Sequence, residues 1–141
     1  MRTRYSILFK LLGVALLAIS SGIGADYQVV ASKDFVSDSI SADELKRVFM
    51  LTKNTVGGAK VTPVVQKAGA AHEAMLKDCL GISSEELQTH YKSLVFTGKA
   101  VAPKAMATDA EVIAFIAMSK NVVGYVSASA IPMGVKKLQV K

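Results

Sequence analysis

Cysteine is almost absent from this chain. Cys79 is the only one, so no intramolecular disulfide can form and a packed core must hold the fold by itself. Histidine is nearly as scarce: His72 and His90 fall on different expected helices with no second ligand type close by, which argues against zinc. The sequence has no glycine-rich nucleotide loop, no serine in a nucleophile elbow and no paired carboxylates in an apolar setting. With none of the patterns that mark catalysis, neither an enzyme nor a resident cofactor is expected. Positive charge is not concentrated either. The formal charge is +6 and the lysines are dispersed, so no basic stripe speaks for nucleic acid.

What is present begins with an export pattern. Arg2, Arg4 and Lys10 precede the apolar run Leu11 to Ile19, and small residues follow from Ser20 to Ala25, the layout of a secretory signal peptide. The apolar stretch is shorter than the ~20 residues that a permanent transmembrane helix needs. Cleavage near Ala25 is therefore expected, with release of residues 26–141 as one periplasmic domain that is not membrane-embedded. No cysteine lies beside that site to carry a lipid. Removing the three leading cations, with no acid among the first 25 residues, leaves a formal charge of +3 on the mature chain.

Helix starts are marked by capping patterns. Ser41, Ser83 and Thr108 are each followed three residues later by Glu44, Glu86 and Glu111, which gives these glutamates a structural reading rather than an acid/base one. Behind the caps, Leu45, Val48 and Phe49, then Leu87, Tyr91 and Leu94, then Val112, Phe115 and Ile116 recur at helical spacing, one apolar face per helix. A fourth helix is expected from about Ala70 to Leu80, stopped by Gly81. Cys79 shares its apolar stripe with Met75 and Leu76 and reads as a small buried hydrophobe.

Valine-rich runs mark four strands: Tyr27–Ala31, Val61–Val65, Val122–Val126 and Val135–Val140. The first and third read as buried on both faces. Pro63 belongs near a strand end or an edge, and Lys136 and Lys137 suit an edge strand. Strands alternating with helices give an α/β fold, a mixed and mostly parallel sheet flanked by about four helices.

Two stretches can carry binding chemistry. From Gln66 to His72 a strand ends, Gly69 turns the chain, and a helix begins at Ala70 and Ala71. Backbone N–H groups at such a helix start favour an anion, although every α/β protein has strand-to-helix connections of this kind. The second stretch is Phe96-Thr97-Gly98-Lys99, where the Thr97 hydroxyl and the Lys99 cation leave an apolar run together.

The order of landmarks resembles that of the periplasmic phosphate-binding proteins, the solute receptors of phosphate ABC transporters. The resemblance runs through Val29-Val30-Ala31-Ser32, Ile40 to Phe49, Lys60-Val61-Thr62-Pro63-Val64, Leu94 to Lys99, Asp109 to Ile116 and Val123 to Ala130. It implies one lobe of a two-lobed receptor fold, in a small single-domain member, with phosphate or a similar oxyanion as ligand. Gly69, Ala70, Ala71 and His72 would form the helix-end cradle beside Gln66 and Lys99, with Ser32, Thr97 and Ser127 as hydroxyl donors. The chain departs from the family pattern in having Ala70 and Ala71 where hydroxyl residues are usual, and no tryptophan between Thr52 and Gly58. A lone lobe holds a ligand from one side, so the resemblance implies a cover: a second copy, an ABC permease or another envelope protein. The alternative is an interaction domain that has lost solute binding.

Overall fold

The computed structural model of the protein describes residues 26–141, and the expected signal segment, residues 1–25, lies outside the described residues. Strand β1 (Tyr27–Ala31) leads to the short β2 (Ser39–Ile40), helix α1 (Ala42–Phe49), the two-residue strands β3 (Thr55–Val56) and β4 (Ala59–Lys60), and β5 (Thr62–Gln66). Helix α2 (Ala70–Met75) runs into a π-helical turn (Leu76–Leu80). The chain continues through α3 (Ser84–Phe96), β6 (Lys104–Met106), α4 (Asp109–Ala117), β7 (Val122–Ser127), β8 (Lys136–Lys137) and β9 (Gln139–Val140).

Five strands form the central sheet in the order β6-β5-β7-β1-β8. β5 is parallel to β6 and β7, whereas β1 is antiparallel to β7 and β8. The sheet is mixed, with its parallel part confined to β6, β5 and β7. Strands β1 and β7 are buried along almost their whole length, as continuous valine runs require of strands covered on both faces.

Alternation along β7 divides the core in two. Val123 and Tyr125 join Leu45, Phe49, Met75 and Leu87 beneath α1, α2 and α3. Val122 and Val126 join Val112 and Ile116 of α4 on the other face. Each such side chain, fully buried, contributes roughly 1.5–3 kcal/mol of hydrophobic free energy before chain entropy is subtracted. Gly124 lets α4 lie close, since a Cβ there would stand 2.7 Å from Val64 Cγ2 and 3.0 Å from Ile116 Cδ1.

The three predicted caps are present. The side chains of Ser41, Ser83 and Thr108 accept the N–H groups of Glu44, Glu86 and Glu111 at 3.1, 3.1 and 3.2 Å. Two of the glutamates are committed elsewhere than to the cap residue: Glu44 pairs with Lys53 Nζ at 2.7 Å, and Glu111 accepts the Ala107 N–H at 2.8 Å. The fourth helix begins at Ala70 but widens after Met75 into the π turn, closed by the Gly81 N–H on the Leu76 carbonyl with Gly81 at φ +68°. The expected long last strand divides. Lys136 and Lys137 form the sheet edge beside β1, and Gln139–Val140 crosses to pair with β2. Pro63 sits second in β5, a central strand, below the first β6 pairing at Val64, so its missing donor removes no ladder bond. Cys79 is half-buried rather than buried, and burial, then the Asp78 charge, push its thiol up to about 11. Among the described residues no helix is long and apolar enough to cross a membrane.

Candidate functional site

Parallel strands β5 and β7 end on the same side of the sheet, and helices α2 and α4 begin there. This end gathers Gln66 (last in β5), Ser127 (last in β7), the turn Lys67–Gly69, and Asp109 (first in α4). Gly69, at φ +110°, takes a conformation that favours glycine, and a Cβ on it would meet nothing within 4 Å. The turn is open above. Ala68, Gly69 and Ala70 are exposed, and their N–H groups donate to no acceptor among the described residues. Lys67 is also exposed, with its own N–H held by the Met106 carbonyl at 2.9 Å.

Beside the turn stands a carboxylate. Asp109 Oδ1 accepts from Gln66 Nε2 at 2.7 Å and from the Ser127 N–H at 3.1 Å. Partial burial raises its pKa, but the hydrogen bonds from Ser127 and Gln66 prevail and hold the carboxyl below its ordinary range. It is therefore a fixed negative charge at neutral pH.

Beneath the turn a buried relay ties α2 to the sheet. Tyr125 Oη accepts the Gln66 N–H at 3.0 Å and lies 2.6 Å from His72 Nδ1. The hydroxyl, already accepting from Gln66, has its hydrogen left for His72, which places the imidazole proton on Nε2, facing Ser84 Oγ at 3.1 Å. His72 is 1% exposed. Burial lowers its pKa, with the Glu73 charge acting the other way. It is a neutral strut.

The structure thus brings together Gln66, Gly69, Ala70, Ala71, His72 and Ser127, but His72 and Ala71 are buried beneath the turn and do not line it. Three of the expected residues lie elsewhere. Ser32 follows β1, at the opposite end of β7 from Ser127, where its Oγ accepts the Val122 N–H at 3.0 Å. The antiparallel course of β1 carries it away. Thr97 caps the end of α3, donating to the Ser93 carbonyl at 2.8 Å. Lys99 lines a recess with Thr62 and Pro63, at the start of β5 rather than its end. Asp109 and Tyr125 were not among the expected site residues. The first-turn position of Asp109 reads from sequence as a helix-dipole partner, and only the parallel β5–β7 pairing reveals its other role. Among the described residues no group of three metal-ligating side chains occurs.

No family model matches the chain, and no curated protein matches it. Solved structures do. A protein from Clostridium perfringens, described as a phosphate ABC transporter substrate-binding protein with bound phosphate, superposes with a TM-score of 0.62 at 14% identity, over 82% of this chain and 44% of its own. PstS from Borrelia burgdorferi gives 0.61 at 17% identity, over 82% and 47%. An ABC-type phosphate transport receptor from Vibrio cholerae gives 0.55 at 14% identity, over 82% and 46%. The chain spans less than half the length of these proteins, and it has the α/β fold of one lobe of the phosphate-transport substrate-binding proteins.

Proposed function

We propose that this chain is exported, cleaved near Ala25, and acts as a periplasmic solute-binding domain that holds phosphate or a similar small oxyanion at the sheet end beside α2. The observation that carries the reading is the turn formed by the exposed residues Ala68, Gly69 and Ala70, whose N–H groups donate to no acceptor among the described residues. Lys67 adds a positive charge next to them. The protein is a binding module and no enzyme: the carboxylate and the imidazole at this end, Asp109 and His72, are held in internal hydrogen bonds, which leaves the Lys67 cation to act in binding. Contact is one-sided, so an enclosed site needs a cover from a second copy, a transporter permease or another envelope protein. Calorimetry with millimolar phosphate and sulfate is expected to give a saturable heat. A flat response from monomer and dimer alike rejects the reading.

A specific observation favours a second reading, an envelope interaction domain without solute. The Gln66 amide and the Ser127 N–H, which an oxyanion could use, are already satisfied by the Asp109 carboxylate, and that charge repels an anion. A stable protein partner captured from an envelope extract, together with no response to anions, would support it.

A further inference from the structure

The second half of α3 is uncovered. Leu87 and Tyr91 face the core, but Val95 is 46% exposed and Phe96 93%. With Tyr91, Lys92, Pro103 and Ala105 they line a groove of about 390 Å³ between α3 and β6, and β6 is the outermost strand on this flank of the central sheet. Because the Lys67 N–H donates to the Met106 carbonyl in the register Val65↔Ala105, Gln66↔Met106, the N–H and C=O of Ala105 turn away from β5 and off the sheet edge. They find no partner among the described residues. The opening is narrow. Pro103 has no N–H to offer, and the Ala107 N–H is taken by Glu111 Oε2 at 2.8 Å, so the edge resists indiscriminate strand pairing while leaving one residue free to pair.

Side-chain alternation defines what would fit. Ala105 lines the groove. Its neighbours point to the other face, where Lys104 Nζ stands 4.9 Å from the Phe115 ring centroid and Met106 packs against the α4 cluster. A strand laid along β6 places the residue opposite Ala105 in the groove and the residues on either side of it on the Lys104 face. Both faces offer cations, Lys92 on the groove wall and Lys104 opposite.

We propose that the α3–β6 edge takes an extended segment of a partner protein by strand addition, with one large apolar side chain seated beside Tyr91, Val95 and Phe96, an acidic residue next to it meeting Lys104 on the opposite face, and an acidic residue two positions away meeting Lys92 on the groove face. A second copy of this chain is the poorer occupant, because antiparallel pairing of β6 with β6 about Ala105 sets each Lys104 across from Met106 of the other copy, and the paired stretch, residues 101–108, holds no acid to meet Lys92 or Lys104. None of the residues from Gln66 to Ala70 lines the groove, so the inference does not depend on anion binding there.

The probe is a blocked nine-residue peptide with a central phenylalanine, flanked by aspartates and a glutamate among β-branched residues, and its counterpart carrying lysines for the acids. Titrated into the 15N-labelled protein, the acidic peptide shifts the amides of Lys92, Phe96 and Ala105 and slows hydrogen exchange at Ala105. It binds about tenfold more tightly than the lysine counterpart, and the double variant Lys92→Glu, Lys104→Glu, at exposed positions, weakens it about tenfold. The proposal is overturned by an unmoved Ala105 amide at millimolar acidic peptide or by equal binding of both peptides. A dimer in sedimentation that Phe96→Ser dissociates also overturns it and gives the groove to a second copy.

Discussion

The Nε2 amide of Gln66 donates to Oδ1 of Asp109 across 2.7 Å, tying the last residue of β5 to the first residue of α4. The Ser127 N–H reaches the same oxygen at 3.1 Å. A carboxylate of the chain itself thus occupies the donors at the strand ends, and any external anion is left with the amides of the neighbouring turn.

Substituting Asp109→Asn tests this arrangement directly. The amide oxygen can still accept from Gln66 and Ser127, while the charge is gone. Two like charges at neighbouring positions in half-exposed surroundings repel by roughly 1 kcal/mol, so the variant should bind phosphate about fivefold more tightly by calorimetry. Unchanged or weaker binding would mean that the anion does not sit near this carboxylate.

Much of the fold was legible in the sequence, because local chemistry decides it. The caps at Ser41, Ser83 and Thr108 and the stop at Gly81 need only neighbours within a few residues. Non-local pairing was not legible. Whether Ser32 lies beside Ser127 depends on the direction of β1, and the antiparallel pairing of Tyr27 with Ser127 puts Ser32 at the far end. Lys99 was misplaced for the same reason, since it returns alongside the start of β5. Asp109 has an ordinary local role at a helix start, and nothing in its neighbours announces its contact with Gln66, 43 residues away in sequence.

Stability should fall in mild acid. His72 is held neutral by burial, its pKa below the ordinary 6.5, so the unfolded chain binds this proton more readily than the folded one. The stabilisation is complete above about pH 6.5 and declines as the pH drops below it, toward the folded-state value. Asp109, also depressed, adds a second loss in stronger acid, below its ordinary 3.8. Urea midpoints should therefore be lower at pH 5.5 than at 7.5, and His72→Gln should flatten that difference. Equal wild-type midpoints at both values would contradict the buried neutral imidazole.

At Gly124 the sheet has no room for a methyl group. Its Cβ would meet Val64 Cγ2 at 2.7 Å, Ile116 Cδ1 at 3.0 Å and Val112 Cγ1 at 3.3 Å, all in one packed cluster. Gly124→Ala should destabilise the domain by about 1–3 kcal/mol through overpacking, read as a shift in the urea midpoint with an unchanged slope. A neutral result would mean that α4 can move off the sheet freely.

Tyr125 holds the candidate turn from below. Its hydroxyl accepts the Gln66 N–H at 3.0 Å and reaches His72 Nδ1 at 2.6 Å, so Tyr125→Phe strands one buried donor and one buried acceptor at once. Each unsatisfied group costs about 1–3 kcal/mol, and a loss of roughly 2 kcal/mol or more in urea unfolding is expected. The informative readout is local. Hydrogen exchange at the Gln66 amide, held in the wild type by a side-chain oxygen, should accelerate well beyond the change explained by global stability, while the Leu45 amide, bonded to the Ser41 carbonyl in α1, follows the global change alone. If both amides accelerate equally, Tyr125 stabilises the whole domain without specifically anchoring the end of β5 from which the turn departs.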